Sequence, residues 1–185
     1  MSSSVGSGNA RVNVTEYVEN PEKYGIDVME LTERYVSDPQ FRDEIGYWRA
    51  SIQAQRMFAE ELNAKASARD YAALLKKISS GELGSDYANF LVRRAIEWPM
   101  IYLVNQELFS SVGYKSGSLP GVLNSAYYAT RLEDGAQVVV VLFFHDLPMS
   151  TYRQWRRTLP HDEFARWLLS DPGAIETFRM WMSEN

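Results

Sequence analysis

Lys115, Ser116, Gly117 and Ser118 put a cation, two hydroxyls and a residue without a side chain on four consecutive positions, just before Leu119-Pro-Gly121. A strand-borne lysine supplies a fixed positive charge that favours an anionic group and tunes neighbouring proton transfers. Serine hydroxyls bond a carboxylate, and a strand glycine lets another backbone approach closely. By composition alone the tetrad also describes a solvated loop. Nucleophilic catalysis would further need a hydroxyl beside an activating base. No serine has Lys three residues later: Ser67 meets Asp70, Ser79 meets Glu82 and Ser111 meets Tyr114.

The other reactive residue types are sparse. The only two histidines, His145 and His161, each precede an aspartate. His145 follows an apolar strand, where an imidazole bonded to backbone is expected. His161 stands near a helix start and is expected to be exposed. With no cysteine there is no disulfide or thiolate chemistry, and two histidines argue against a multi-histidine metal site, so no metal or cofactor is expected. Glu60-Glu61 and Asp162-Glu163 read as exposed helix charges, and Arg156-Arg157 as a solvated face.

The 185 residues suit one domain with a real core, and 45% apolar against 23% charged residues is ordinary for a globular chain. A net charge of -5 argues against a nucleic-acid footprint. The longest apolar run, Val138 to Phe144, is too short to span a bilayer. Residues 1–13 read as a flexible tail without signal-peptide character, and 14–185 as a single α+β domain. The compartment is not legible.

Pattern then places the elements. Asn13 to Tyr24 reads as irregular, with Pro21 and Gly25 as breakers. Val28, Leu31 and Tyr35 give a short amphipathic helix over Asp27 to Val36. Ser37-Asp38-Pro39 starts a helix expected to reach about Asn63. Ser67 and Asp70 form a capping box variant that opens a helix with Tyr71, Leu74, Leu75 and Ile78 on one face. Ser85-Asp86 opens another, and Pro99 stops or kinks it. Ile101 to Leu108 is ambiguous between a helical turn and a loop. Three strands follow: a short edge at Ser110 to Ser116, a middle strand at Val122 to Thr130, and the apolar run Gln137 to Phe144. Runs of that last kind are usually covered on both faces and lie inside a sheet. Asp134-Gly135 signals the hairpin between the last two. Helices are expected over Ser150 to Arg157, Asp162 to Leu169, and from Ser170-Asp171-Pro172 to about Met182. Trp48, Trp98, Trp155, Trp167 and Trp181 are expected in core or interface packing.

Set in this order, Lys115-Ser116-Gly117 resembles the third motif, Lys-Thr/Ser-Gly on a strand, of the penicillin-recognising serine hydrolases: class A β-lactamases and D-alanyl-D-alanine peptidases. Ser67-Ala-Arg-Asp-Tyr-Ala72, Gly81-Glu82-Leu83, Glu97-Trp98, Leu119-Pro-Gly-Val-Leu123, the Asp134-Gly135 hairpin and Asp146-Leu147-Pro148 also resemble the family, in its order. The likeness covers roughly Ala64 to Pro148, the carboxy-terminal part of such an enzyme. It implies acyl transfer through a serine ester, with hydrolysis of a β-lactam or peptide-like amide, as the parent activity. It assigns Lys115 a catalytic electrostatic role and gives Ser116, Gly117 and Ser118 the binding of a small-molecule or peptide-like carboxylate. The family is often extracytoplasmic.

The family's Ser-x-x-Lys and Ser-Asp-Asn motifs have no counterpart, and Glu60-Glu61-Leu62-Asn63 is one residue short of Glu-x-x-Leu-Asn. The expectation is therefore a partial β-lactamase/transpeptidase-like α+β fold: about three antiparallel strands packed with several helices, inactive alone. The alternative is a non-catalytic ligand-binding or oligomerisation module. In the family fold the last strand pairs with the first, which is missing here. The Gln137 to Phe144 edge is accordingly expected to be covered by a second copy, a partner chain or rearranged N-terminal residues.

Overall fold

The computed structural model describes residues 15–46, 55–56, 60–61 and 65–184. The chain divides into two compact units, Met1–Lys65 and Ala66–Asn185. The tail expected at 1–13 lies outside the described residues.

In the first unit the sequence placed a helix start too late. Helix α1 spans Pro21–Ser37, and residues 15–19 are helical as well. Asn20 Oδ1 accepts the Lys23 N–H at 3.1 Å, and Pro21 opens the helix where its missing N–H costs nothing. Pro21 is thus a start signal rather than a breaker, and Gly25 is carried inside the helix. Asp27 secures the first turns by accepting from Tyr17 Oη at 2.8 Å and Lys23 Nζ at 2.7 Å. Val28, Leu31 and Tyr35 all remain exposed. Helix α2, Pro39–Gly46, begins at the expected cap, with Asp38 Oδ1 accepting from the Phe41 N–H. Its expected continuation over 47–54 lies outside the described residues.

The second unit is α+β, with one three-stranded antiparallel sheet in the order β1-β2-β3: Phe109–Leu119, Val122–Arg131 and Gln137–Phe144. Helices α3 (Ala68–Ser80) and α4 (Asp86–Ile96) precede it. The Ser67/Asp70 capping box has both of its bonds, and Gly81 ends α3 at φ 75°. The ambiguous stretch resolves into a 3₁₀ turn, Trp98–Ile101, and helix α5, Leu103–Leu108. Helices α6 (Met149–Thr158), α7 (Pro160–Ser170) and α8 (Ala174–Glu184) follow the sheet.

Alternation along the strands makes two covered faces. Val112, Tyr127, Ala129, Val138 and Val140 pack against Ala165, Leu168 and Leu169 of α7 and Ala174 of α8. On the other face Ala126 and Tyr128 pack against Leu75 and Ile78 of α3, with Val92 and Ile96 of α4 beside them. Each large apolar side chain so buried contributes roughly 1.5–3 kcal/mol. Cover on both faces explains the unbroken apolar run of β3, but the strand sits at the sheet edge and not inside it. Of the tryptophans expected in core or interface packing, Trp98 and Trp181 are exposed and stand outside the core, and Trp48 lies outside the described residues.

The β2–β3 turn is held by charge. Buried Arg131 bonds Asp134 through Nε at 3.0 Å and Nη2 at 2.7 Å, and Asp134 Oδ1 also accepts the Ala136 N–H. The Arg131 bonds, then the Ala136 N–H, hold the Asp134 carboxyl down to about 2, from an ordinary value of 3.8. A depressed carboxyl stabilises the fold above its unfolded value and loses that contribution as pH falls. Asp134→Asn should therefore lower stability at pH 7, and the difference should close between about pH 4 and pH 2. Urea unfolding at a series of pH values measures it.

Candidate functional site

Asp162 is the hub of a polar cluster in the second unit. Leu159 makes the turn between α6 and α7 at φ 50°, an uncommon conformation for a side-chain-bearing residue. Its N–H closes α6 on Trp155 O, and Pro160 starts α7 at once. That tight junction sets His161 and Asp162 in the first turn of α7, against the middle strand. Asp162 Oδ1 accepts from Ser125 Oγ at 2.7 Å and from Tyr127 Oη at 2.8 Å. Burial, then the bond to Asp162, raises the Tyr127 phenol far above its ordinary value, so it stays a neutral donor. Tyr114 stacks on Tyr127 with ring centroids 4.4 Å apart.

Beside this hub is a cleft of about 190 Å³. Tyr114, Ser116, Gly117 and Ser118 of β1 and Leu123 and Asn124 of β2 line it from the sheet. Arg156, Leu159, His161 and Asp162 come from the α6–α7 junction. Three of the four residues singled out in the tetrad are therefore brought together. Lys115 is not among the lining residues. Strand alternation turns it to the sheet face opposite Tyr114 and Ser116, where its Nζ bonds Ser116 O at 2.6 Å.

The histidines correct two expectations. His161 is buried, not exposed: its ring stacks on Trp155 and meets Phe144 edge-on. Its Nδ1 is buried without a hydrogen-bond partner, and Nε2 lies 3.8 Å from Asp162 Oδ1, beyond hydrogen-bond reach. His145 bonds no backbone group in this way either. Its Nδ1 lies 2.7 Å from Asp146 Oδ2, with both side chains out in solvent.

Ser, His and Asp are thus close together without forming a nucleophile. Ser125 is fully buried and donates its proton straight to a carboxylate, so no imidazole stands beside it as general base. The arrangement can hold a polar ligand. It does not activate a hydroxyl. Among the described residues no cluster of three metal-ligating side chains is present, and no helix is long and apolar enough to cross a membrane.

A larger cleft, about 440 Å³, lies along α4, and Asn89, Arg93 and Glu97 among its polar groups serve the fold. Asn89 bridges Gly81 O and the Leu83 N–H. Glu97 accepts from Arg93 at 2.8 Å and from Tyr128 Oη at 2.7 Å.

Ser125 and Tyr127 carry no signal that the sequence reading uses, and Asp162, expected as an exposed helix charge, is instead half-buried and bonded to both. The available signal is a pair of hydroxyls at i and i+2, Ser125 and Tyr127, on the same face of the middle strand. Buried on one face, they need a common acceptor. No protein-family model, curated protein or solved structure matches this chain.

Proposed function

We propose that this chain is a non-catalytic binding module, similar in its sheet to the penicillin-recognising serine hydrolases, that holds a small carboxylate-bearing molecule in the cleft beside Ser116. The observation that carries the reading is the joint lining of that cleft by Ser116, Gly117, Ser118 and Arg156. Hydroxyls and a guanidinium are the donors a carboxylate takes. Lys115 on the opposite face and a buried, carboxylate-bonded Ser125 both favour holding over acyl transfer. A fluorescent penicillin tests it. Reversible binding is expected, weakened about tenfold by Arg156→Ala, the equivalent of one charge-assisted bond, and unchanged by Lys115→Ala. A label that survives denaturation would overturn it in favour of a serine acyl-transfer enzyme.

A second reading is association through the β3 edge. It is favoured by the place of β3, eight residues without a charge, at the end of the strand order. Such an edge is a template for another strand. The expected result is a dimer in light scattering with slow amide exchange over 138–142. A monomer with fast exchange there removes this reading.

A further inference from the structure

The cleft holds a cation and an anion that do not neutralise each other. Arg156 makes no ion pair among the described residues; its guanidinium lies over the Tyr152 ring, 5.9 Å from the centroid, and makes one long hydrogen bond, 3.4 Å, to Tyr152 Oη. Asp162 spends Oδ1 on Ser125 and Tyr127, while Oδ2 takes part in neither bond. Both residues line the same 190 Å³ space, and they stand too far apart to form a salt bridge with one another. The neutral groups of Ser116, Ser118 and Asn124 line the same space. A ligand with one charge of each sign satisfies both ends, whereas a simple anion leaves Asp162 without a partner and is held less tightly.

We propose that the ligand is a small zwitterion of the α-amino-acid type. Its carboxylate lies at Arg156 and the Ser116 and Ser118 hydroxyls, and its ammonium at Asp162 Oδ2. The volume sets the size. At 190 Å³ the cleft is below the ~300 Å³ at which drug-sized sites begin, so it takes a single amino acid or a dipeptide end and not a long chain. An ammonium is a compact donor of three bonds, which suits the free oxygen of a carboxylate whose other oxygen is held by two hydroxyls. Specificity then comes from the pair, since blocking the amine strands the half-buried Asp162 charge, and blocking the carboxylate leaves the exposed Arg156 guanidinium without its partner.

This inference rests on the carboxylate-binding reading above, and the experiment separates the two. Alanine and phenylalanine, each in D and L forms, are titrated into the ¹⁵N-labelled full chain as the free amino acid, the N-acetyl acid and the amide. The free acids are expected to shift the amides of 116–118 and 162. Both blocked forms should bind at least tenfold more weakly. Arg156→Gln should erase the preference over the amide, and Asp162→Asn the preference over the N-acetyl acid. Because Asp162→Asn also touches the folded hub, its spectrum is checked for native dispersion. Should the variant not fold, the wild-type comparison of free and N-acetyl acids decides. N-acetyl acids that bind as well as free acids overturn the zwitterion and leave the carboxylate reading standing. Amides that bind as well as the acids, or no binding by any of them, overturn both.

Discussion

Gly113→Ala is expected to destabilise the second unit by about 3 kcal/mol, the upper end of ordinary overpacking, and to lower its melting temperature by about 10 °C. Gly117→Ala, four residues further along the same strand, should change stability by less than ~0.5 kcal/mol. The contrast follows from what a new Cβ meets. At Gly113 it would fall 2.5 Å from Tyr128 Cζ and 2.9 Å from Cδ1, inside any real contact distance, whereas at Gly117 nothing lies within 4 Å. Tyr128 is opposite Gly113 in the register and wholly buried. Its hydroxyl is tied to Glu97, which also takes Arg93. The ring therefore cannot swing aside without breaking a buried bond. Urea unfolding of the two variants, with Tyr128→Ala and the Gly113→Ala/Tyr128→Ala pair, completes the cycle. Tyr128→Ala alone should cost about 3–5 kcal/mol. In that background Gly113→Ala should cost little more, because the obstructing ring is gone. Equal effects at Gly113 and Gly117 would refute the assignment of Gly113 as the packing glycine of this strand.

Those two glycines also mark the limit of what can be read without coordinates. Gly117 draws the eye because it sits in a motif-like tetrad, while Gly113 looks like an ordinary strand glycine. Its role depends on Tyr128, fifteen positions away, and only the register of β1 on β2 reveals it. Local signals are legible in the sequence. The Ser67/Asp70 box, the Ser85 cap, the Asp134-Gly135 turn and the strand order follow from short-range rules, and all are present. Errors arose where a residue type carries two meanings. Pro21 can break a helix or begin one, and Asn20 decided for the second. An apolar run can mean an interior strand or an edge strand covered on both faces, and β3 is the latter. The site was half legible for the same reason. Ser116, Gly117 and Ser118 were found as neighbours in sequence, whereas Asp162, Ser125 and Tyr127 meet across more than thirty residues. His161 was judged by its place near a helix start. The Leu159 turn, which presses that start into the sheet, leaves no short-range trace beyond the Leu-Pro pair.

Asp162→Ala should be the most damaging change at the cleft. Removing the carboxylate strands two buried donors, Ser125 Oγ and Tyr127 Oη, at about 1–3 kcal/mol each. A total loss of about 3–5 kcal/mol is expected on that basis. Ser125→Ala/Tyr127→Phe removes the donors instead, and in that background Asp162→Ala should cost at least ~2 kcal/mol less than it does in the wild type. Strict additivity would show that the three groups do not act as a unit. An alkaline titration supplies an independent readout. Burial and the bond to Asp162 raise the Tyr127 phenol above 10.0, its ordinary value. A raised value in the folded state means a contribution fully present below the unfolded value and lost as pH climbs past it. Wild-type stability should therefore decline above about pH 10. Tyr127→Phe should decline less steeply, and Tyr128, raised first by burial and then by its bond to Glu97, would supply the slope that remains. An unchanged slope in Tyr127→Phe would mean that the phenol is not held as the geometry has it.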